Sequence, residues 1–161
     1  MRARAWLWGV LLVLPWALGC AGVTLVPGAL DKAVRVESMA LTFEPGGMGR
    51  LTLGLVVENP TLWDARVVGV DYELLLDGRR YAVGTRGVSL LLASGARSVL
   101  PVSFPLRSAP TRASEVPPHL WQVEVRGGVR LAFGDTVRVL PLRTGTSLRL
   151  PFFRPLEPAP E

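Results

Sequence analysis

The chain has 161 residues, 49% of them apolar and 19% charged, a globular balance at a length that suits one domain rather than two. Its single cysteine excludes an internal disulfide and a cysteine-built structural zinc site. The formal charge of +5 falls to +3 once Arg2 and Arg4 leave with an N-terminal signal, and lysine occurs once, as Lys32.

Residues 1–19 read as that signal. Arg2 and Arg4 form a positive start, Ala5 to Leu14 an apolar run, and Pro15 breaks the helix ahead of the small residues of "WALGC". The run is short for a membrane-spanning helix, which needs about 20 residues. Ala17-Leu18-Gly19-Cys20 resembles the lipobox of bacterial lipoproteins, whose cysteine is diacylated on sulfur and becomes the new N-terminus. Ala17 stands where that motif usually carries Leu, and Ala17 with Gly19 also suits ordinary cleavage, which would leave a soluble protein with a free thiol. A solitary cysteine directly behind Gly19 favours lipidation at Cys20. Ala21 rather than Asp follows it, and in lipoprotein sorting this implies the outer membrane, with the domain facing the periplasm. The expected partners are therefore the membrane, through the anchor, and envelope proteins or anionic lipid head groups, not nucleic acid. Arg35, Arg66, Arg97, Arg126, Arg130 and Arg138 are read as decoration of solvent-facing strand surfaces.

Residues 20–32 have no sustained period and form a tether. From residue 33 to 153 the dominant signal is period two, the mark of strands with one buried face. Val34 and Val36, then Leu41 and Phe43, alternate before a turn at "EPGGMG". Leu51, Leu53, Leu55 and Val57 share one face of the next strand. Val68, Val70, Tyr72, Leu74 and Leu76 are expected on one face of the following strand, and Asp77-Gly78 closes a hairpin. A returning strand over Arg79 to Val83 and two more split at Ser94-Gly95 come next. "RSAPTRASEVPPHL" is an irregular connection that could hold one helical turn near Ser114 to Val116. Trp121, Val123 and Val125 alternate again, Gly127-Gly128 is read as a bulge, and Val129, Leu131 and Phe133 resume the pattern. "TVRVLPLRTGTSLRLPFF" supplies one or two last strands, and residues 154–161 a frayed tail. Pro101, Pro105, Pro141 and Pro151 interrupt apolar runs, which places their strands at edges or bulges. The expected fold is all-β, an antiparallel sandwich of about seven strands, with a closed barrel as the alternative because pairing is not readable.

No residue stands out as catalytic, cofactor-binding or metal-ligating, and no small-molecule substrate is evident. His119, the only histidine, lies in the Pro-rich connection, and no G-x-S-x-G surrounds a serine. Asp71 and Glu73 share a strand face, with Glu58 and Asp64 close enough in sequence to join them across a turn, but acids on the polar side of a strand are usually solvated. "EPGGMGR" lacks the ending of a phosphate loop. Trp63 and Trp121 are read as anchors at the edge of the core. Asn59-Pro60-Thr61 is no glycan acceptor, because Pro occupies the middle position. Instead Pro60 ends the strand ladder and the Asn59 side chain is placed to satisfy the turn.

"LTLGLVVENPTLWDARVVGVDYELLLDGRRYAVG" with "SLLLASGARSVLPVSFPL" resembles the late embryogenesis abundant (LEA) type 2 proteins, whose domain is also called the water stress and hypersensitive response (WHy) domain. The family pattern is an alternating strand ending in Asn-Pro, then a G-x-x-Y-x-L-x-x-x-G hairpin and a further Gly, here Asn59, Pro60, Gly69, Tyr72, Leu74, Gly78 and Gly84. Ser94-Gly95 and Pro101-Val102 match its later turn and strand, while Val123 replaces an aromatic in its last motif. The resemblance implies an immunoglobulin-like or fibronectin III-like sandwich, an association with desiccation or osmotic stress, and no enzymatic activity or cofactor. A structural subunit of a larger secretion or transport complex in the envelope is the alternative expectation.

Overall fold

The computed structural model describes Gly28 and residues 30–111 and 119–155. The expected export signal, Cys20, most of the expected tether, the turn expected near Ser114 to Val116 and the end of the expected tail lie outside the described residues.

Seven strands follow in chain order: β1 (Val34–Phe43), β2 (Met48–Glu58), β3 (Ala65–Leu76), β4 (Arg79–Leu92), β5 (Arg97–Arg107), β6 (Leu120–Phe133) and β7 (Thr136–Arg149). They form two antiparallel sheets, β1-β2-β5 and β4-β3-β6-β7. The sandwich, not the barrel, is therefore the architecture. The fourth strand sits beside β3 in the larger sheet, as in the fibronectin III arrangement, whereas in immunoglobulin constant domains it joins the first, second and fifth.

The period-two pattern places Leu51, Leu53, Leu55 and Val57 on the buried face of β2, all fully enclosed, opposite Val67, Val70, Tyr72 and Leu74 of β3. Asp77 and Gly78 take φ of 50° and 76°, the paired left-handed conformations that a two-residue turn needs to match strand twist. Pro101 and Pro105 lie on β5 and Pro141 on β7, all edge strands where a missing N–H costs no ladder bond. Where the β4 and β5 edges meet, the Arg86 guanidinium donates to the Ser103 carbonyl at 2.9 Å and the Tyr81 hydroxyl to the Arg107 carbonyl. These bonds cover part of an edge that could otherwise recruit another strand.

Three details depart from the sequence reading. The residues of β4 form one strand rather than two, because Gly84 and Gly87 remain within the ladder opposite Tyr72 and Gly69. A bulge between Val67 and Gly69 shifts the phase of β3, so Val67 is buried where Val68 was expected. Conversely, Gly127-Gly128 forms no bulge: β6 pairs with β7 in unbroken register from Leu120↔Arg149 to Phe133↔Thr136. These glycines permit close approach instead, since a Cβ on Gly127 would lie 2.0 Å from the carbonyl oxygen of Asp71.

Gly127→Ala is thus expected to destabilise by about 1–3 kcal/mol, because the obstruction is backbone. Gly87→Ala, with nothing near its added methyl, should stay within about 0.5 kcal/mol. Urea unfolding of the two variants checks the contrast.

Candidate functional site

The sandwich has two unlike ends. At the N-terminal end lie residues 30–33, the β2–β3 connection, the β4–β5 turn and the β6–β7 hairpin; at the opposite end lie the β1–β2 and β3–β4 hairpins and the segment after β7.

The N-terminal end is organised by Asn59, whose side chain is fully buried. Its amide nitrogen donates to the carbonyls of Trp63 (2.7 Å), Leu92 (3.1 Å) and Ala93 (3.1 Å), and its oxygen accepts from the Thr61 N–H (3.2 Å) and hydroxyl (2.7 Å). Its own N–H donates to Ala96 O at 2.8 Å and its carbonyl accepts from Gly95 N at 2.9 Å. One residue therefore ties the end of β2, the β2–β3 connection and the β4–β5 turn. Asp64 adds a bond from Ser94 N (3.1 Å), and Ser94 Oγ donates to Thr61 O (2.9 Å). Pro60 is exposed beside this hub. Trp63 does not anchor the core as the sequence suggested. It is 51% exposed, and neighbouring Leu62 is 90% exposed, because Asn59 already holds the turn through its backbone.

Tyr72 sits mid-strand between two glycines, facing Gly84 on β4 and Gly127 on β6. Its ring occupies the space a Gly84 side chain would need, with Cε1 2.6 Å from that Cβ position, and meets Phe104 of the other sheet at 4.1 Å between centroids. Burial raises the Tyr72 phenol. Gly69 likewise lies under the Arg130 guanidinium. Gly78 supplies the second turn residue of the β3–β4 hairpin.

The acids do not converge. Asp71 accepts from Thr85 Oγ1 at 2.7 Å and lies 3.4 Å from Arg130 Nε, while Glu73 pairs with Arg80. Arg130 Nε meets the distance for an ion pair but makes no hydrogen bond. Asp64 stands at the start of β3, about 23 Å of strand away from Asp71 at 3.3 Å per residue. On the outer sheet face Glu124 receives a two-pronged bond from Arg126 (2.9 Å each) and a third from Arg143 (2.6 Å); with the Arg126 bond as the larger cause, its carboxyl falls below the usual range. Among the described residues, no three His, Cys, Asp or Glu side chains are grouped to hold a metal ion.

The opposite end carries the better-formed recess, about 600 Å³, lined among others by Asp77, Arg79, Arg80, Tyr81, Trp121 and Phe153. Phe153 folds back after β7 and is buried against Phe43 (4.8 Å), Trp121 (4.9 Å, edge-on) and Tyr81 (5.1 Å, edge-on). Sequence reading included this residue in the domain but missed its role as a plug; the apolar "LPFF" run after the last alternating residue was the signal. Trp121, unlike Trp63, is an edge anchor of the core. His119 stacks edge-on against it at 4.5 Å, and its Nε2 lies 2.8 Å from Asp77 Oδ2. Asp77 Oδ1 also accepts from Gln122 N at 2.9 Å. That backbone bond first, and His119 second, hold the Asp77 carboxyl below its ordinary value. Burial, reinforced by Tyr72, pushes Tyr81 up to about 12. An aromatic floor flanked by arginines can accept a flat apolar or anionic group.

Two measurements test these assignments. Asn59→Asp keeps the shape but cannot donate to three carbonyls, and is expected to lower unfolding free energy by about 2–4 kcal/mol in urea titration. Asp77 has a depressed folded pKa, so its contribution is present above the unfolded value near 3.9 and is lost as pH falls through the folded one. Asp77→Asn, which tolerates the turn conformation, should lower Tm at neutral pH and flatten the decline of Tm below about pH 4.

No family model matches the chain, and no curated protein matches it. Solved structures do. A crystal structure of an Archaeoglobus fulgidus protein is 15% identical with a TM-score of 0.54, covering 71% of this chain and 97% of its own. A solution structure of an Arabidopsis thaliana protein is 14% identical with a TM-score of 0.61, covering 85% and 91%. A solution structure of a protein assigned as late embryogenesis abundant is 17% identical with a TM-score of 0.56, covering 74% and 71%. At these identities the likeness is one of fold: the chain has an LEA-type β-sandwich.

Proposed function

We propose that the protein is a non-enzymatic, lipid-anchored envelope protein of the LEA type 2 kind, held at the outer membrane with its domain in the periplasm, where it binds or protects other macromolecules or membrane surfaces during desiccation or osmotic stress. The observation that carries this reading is the joining of an LEA-type sandwich to the Ala17-Leu18-Gly19-Cys20 motif, whose cysteine precedes the first strand residue, Val34, by fourteen positions. Two or more acyl chains on Cys20 would give stable attachment, each buried methylene contributing about 0.8 kcal/mol. The pairing of Asp71, Glu73 and Glu124 with arginines or hydroxyls agrees with acids that stabilise a surface rather than perform acid–base chemistry.

The test is labelling with radioactive palmitate in cells expressing the full chain, with survival after drying scored in a deletion strain. Incorporation abolished by Cys20→Ala, release of that variant from the membrane fraction and lowered survival of the deletion strain are the expected results. A deletion strain that survives drying as well as its parent would remove the stress role. Recovery of a stoichiometric envelope partner on purification would point instead to a structural subunit.

A further inference from the structure

We propose that the N-terminal end of the sandwich lies in the lipid interface, with Leu62 and Trp63 as its inserted tip. This inference rests on the anchoring proposed above and adds an orientation to it.

Among the described residues, nine large apolar side chains are exposed, and six of them gather at this one end: Leu62, Trp63, Leu91, Val99, Val137 and Val139. Leu62 and Trp63 form the β2–β3 connection; Leu91 lies one residue from the end of β4; Val99, Val137 and Val139 lie within three residues of the starts of β5 and β7. At 3.3 Å per residue, the strand-borne members occupy about the last 10 Å of the domain, comparable to the 5–10 Å by which interfacial apolar faces sink into a bilayer. A tryptophan at the tip suits a zone that is apolar on one side and wet on the other.

The path of the chain identifies the occupant. The described residues enter the fold at this same end, where Glu58 N donates to Ala33 O at 2.8 Å. Cys20 precedes Gly28 by eight residues, a span of at most about 29 Å when fully extended. A lipid on Cys20 therefore holds this end, not the Phe153 end, near the bilayer.

On both sides of Leu62 the backbone, at Thr61 and Trp63, is suited to leaving water. Trp63 O accepts from Asn59 Nδ2 (2.7 Å), Trp63 N donates to Thr61 Oγ1 (3.2 Å), and Thr61 N and O bond Asn59 and Ser94. An irregular segment enters an apolar medium only when such groups are met internally. Charge is balanced here: Lys32, Arg35, Arg66, Arg97 and Arg138 are matched by Asp31, Glu37, Glu58, Asp64 and Asp135, all exposed. The attraction is apolar, so a neutral phosphatidylcholine surface is sufficient.

The full chain, purified from membranes in its lipidated form, is reconstituted into phosphatidylcholine vesicles containing lipids brominated near the head group or deep in the acyl chains. After signal removal the two tryptophans are Trp63 and Trp121. Trp121→Phe leaves Trp63 to report on the tip, and Trp63→Phe leaves Trp121 to report on the opposite end. Trp63 emission should shift to the blue and fall at least two-fold with shallow bromine, less with deep bromine, and equally at low and high salt, while Trp121 emission is unchanged. Protein that floats with the vesicles while Trp63 stays unquenched, or is quenched no more than Trp121, overturns the inference and leaves anchoring intact. Protein that fails to float, like its Cys20→Ala control, overturns the anchoring and the inference with it. Should Trp121→Phe fail to fold, the wild-type signal compared with Trp63→Phe isolates the same contribution.

Discussion

A single buried amide ties the two sheets together at one end of the sandwich. Asn59 ends β2 in the three-stranded sheet, yet its side chain bonds the carbonyls of Leu92 and Ala93, where β4 of the four-stranded sheet ends. The β2–β3 connection must cross between sheets at this point, and crossing segments leave peptide groups without ladder partners. Asn59 meets several at once, with donors on one side of the amide and an acceptor on the other. A buried polar group so placed is stabilising only when fully satisfied. Its satisfaction fixes the connection from which β3 starts.

The opposite end is closed by different physics. There the chain after β7 turns back and places Leu150 and Phe153 against Phe43, Tyr81 and Trp121. Edge-on rings of this kind add about 0.5–1.5 kcal/mol per pair beyond area burial. Polar anchoring is confined to the rim, where Asp77 joins its hairpin to Gln122 and His119. One end is thus defined by hydrogen-bond geometry and the other by packing, which tolerates substitution more readily.

The same division explains what could be read from residue order. Alternation along β2, β3 and β6, the Asp77-Gly78 turn and the edge prolines are local signals, and they led to seven strands and a sandwich. What eluded reading depends on partners distant in sequence. The bulge at Val67–Gly69 follows from pairing to both β4 and β6; a local pattern carries only an apolar Val67-Val68 pair, either of which could face inward. Gly127 and Gly128 look like a bulge in isolation, whereas the side chains and carbonyls of β3 and β7 explain them as points of close approach. Trp63 was expected to anchor the edge of the core because aromatics bury large areas there, and its exposure follows only once Asn59 is known to hold the turn. The recess at Trp121 was illegible because its walls come from β3, β4, β6 and the segment after β7.

Asn59 also governs the chemistry of the surface outside it. A turn whose carbonyls are capped by water loses partners when water is withdrawn, and its conformation then competes with alternatives. In the β2–β3 connection the carbonyls of Thr61 and Trp63 are met by the Ser94 and Asn59 side chains, so the conformation carries its own hydrogen bonds. That independence lets Trp63 present an apolar side chain to the exterior without requiring hydration of its own N–H and carbonyl. An Asn-Pro pair that reads locally as the end of a strand thus has a long-range consequence: it ties the β2–β3 connection to the end of β4 and to the β4–β5 turn.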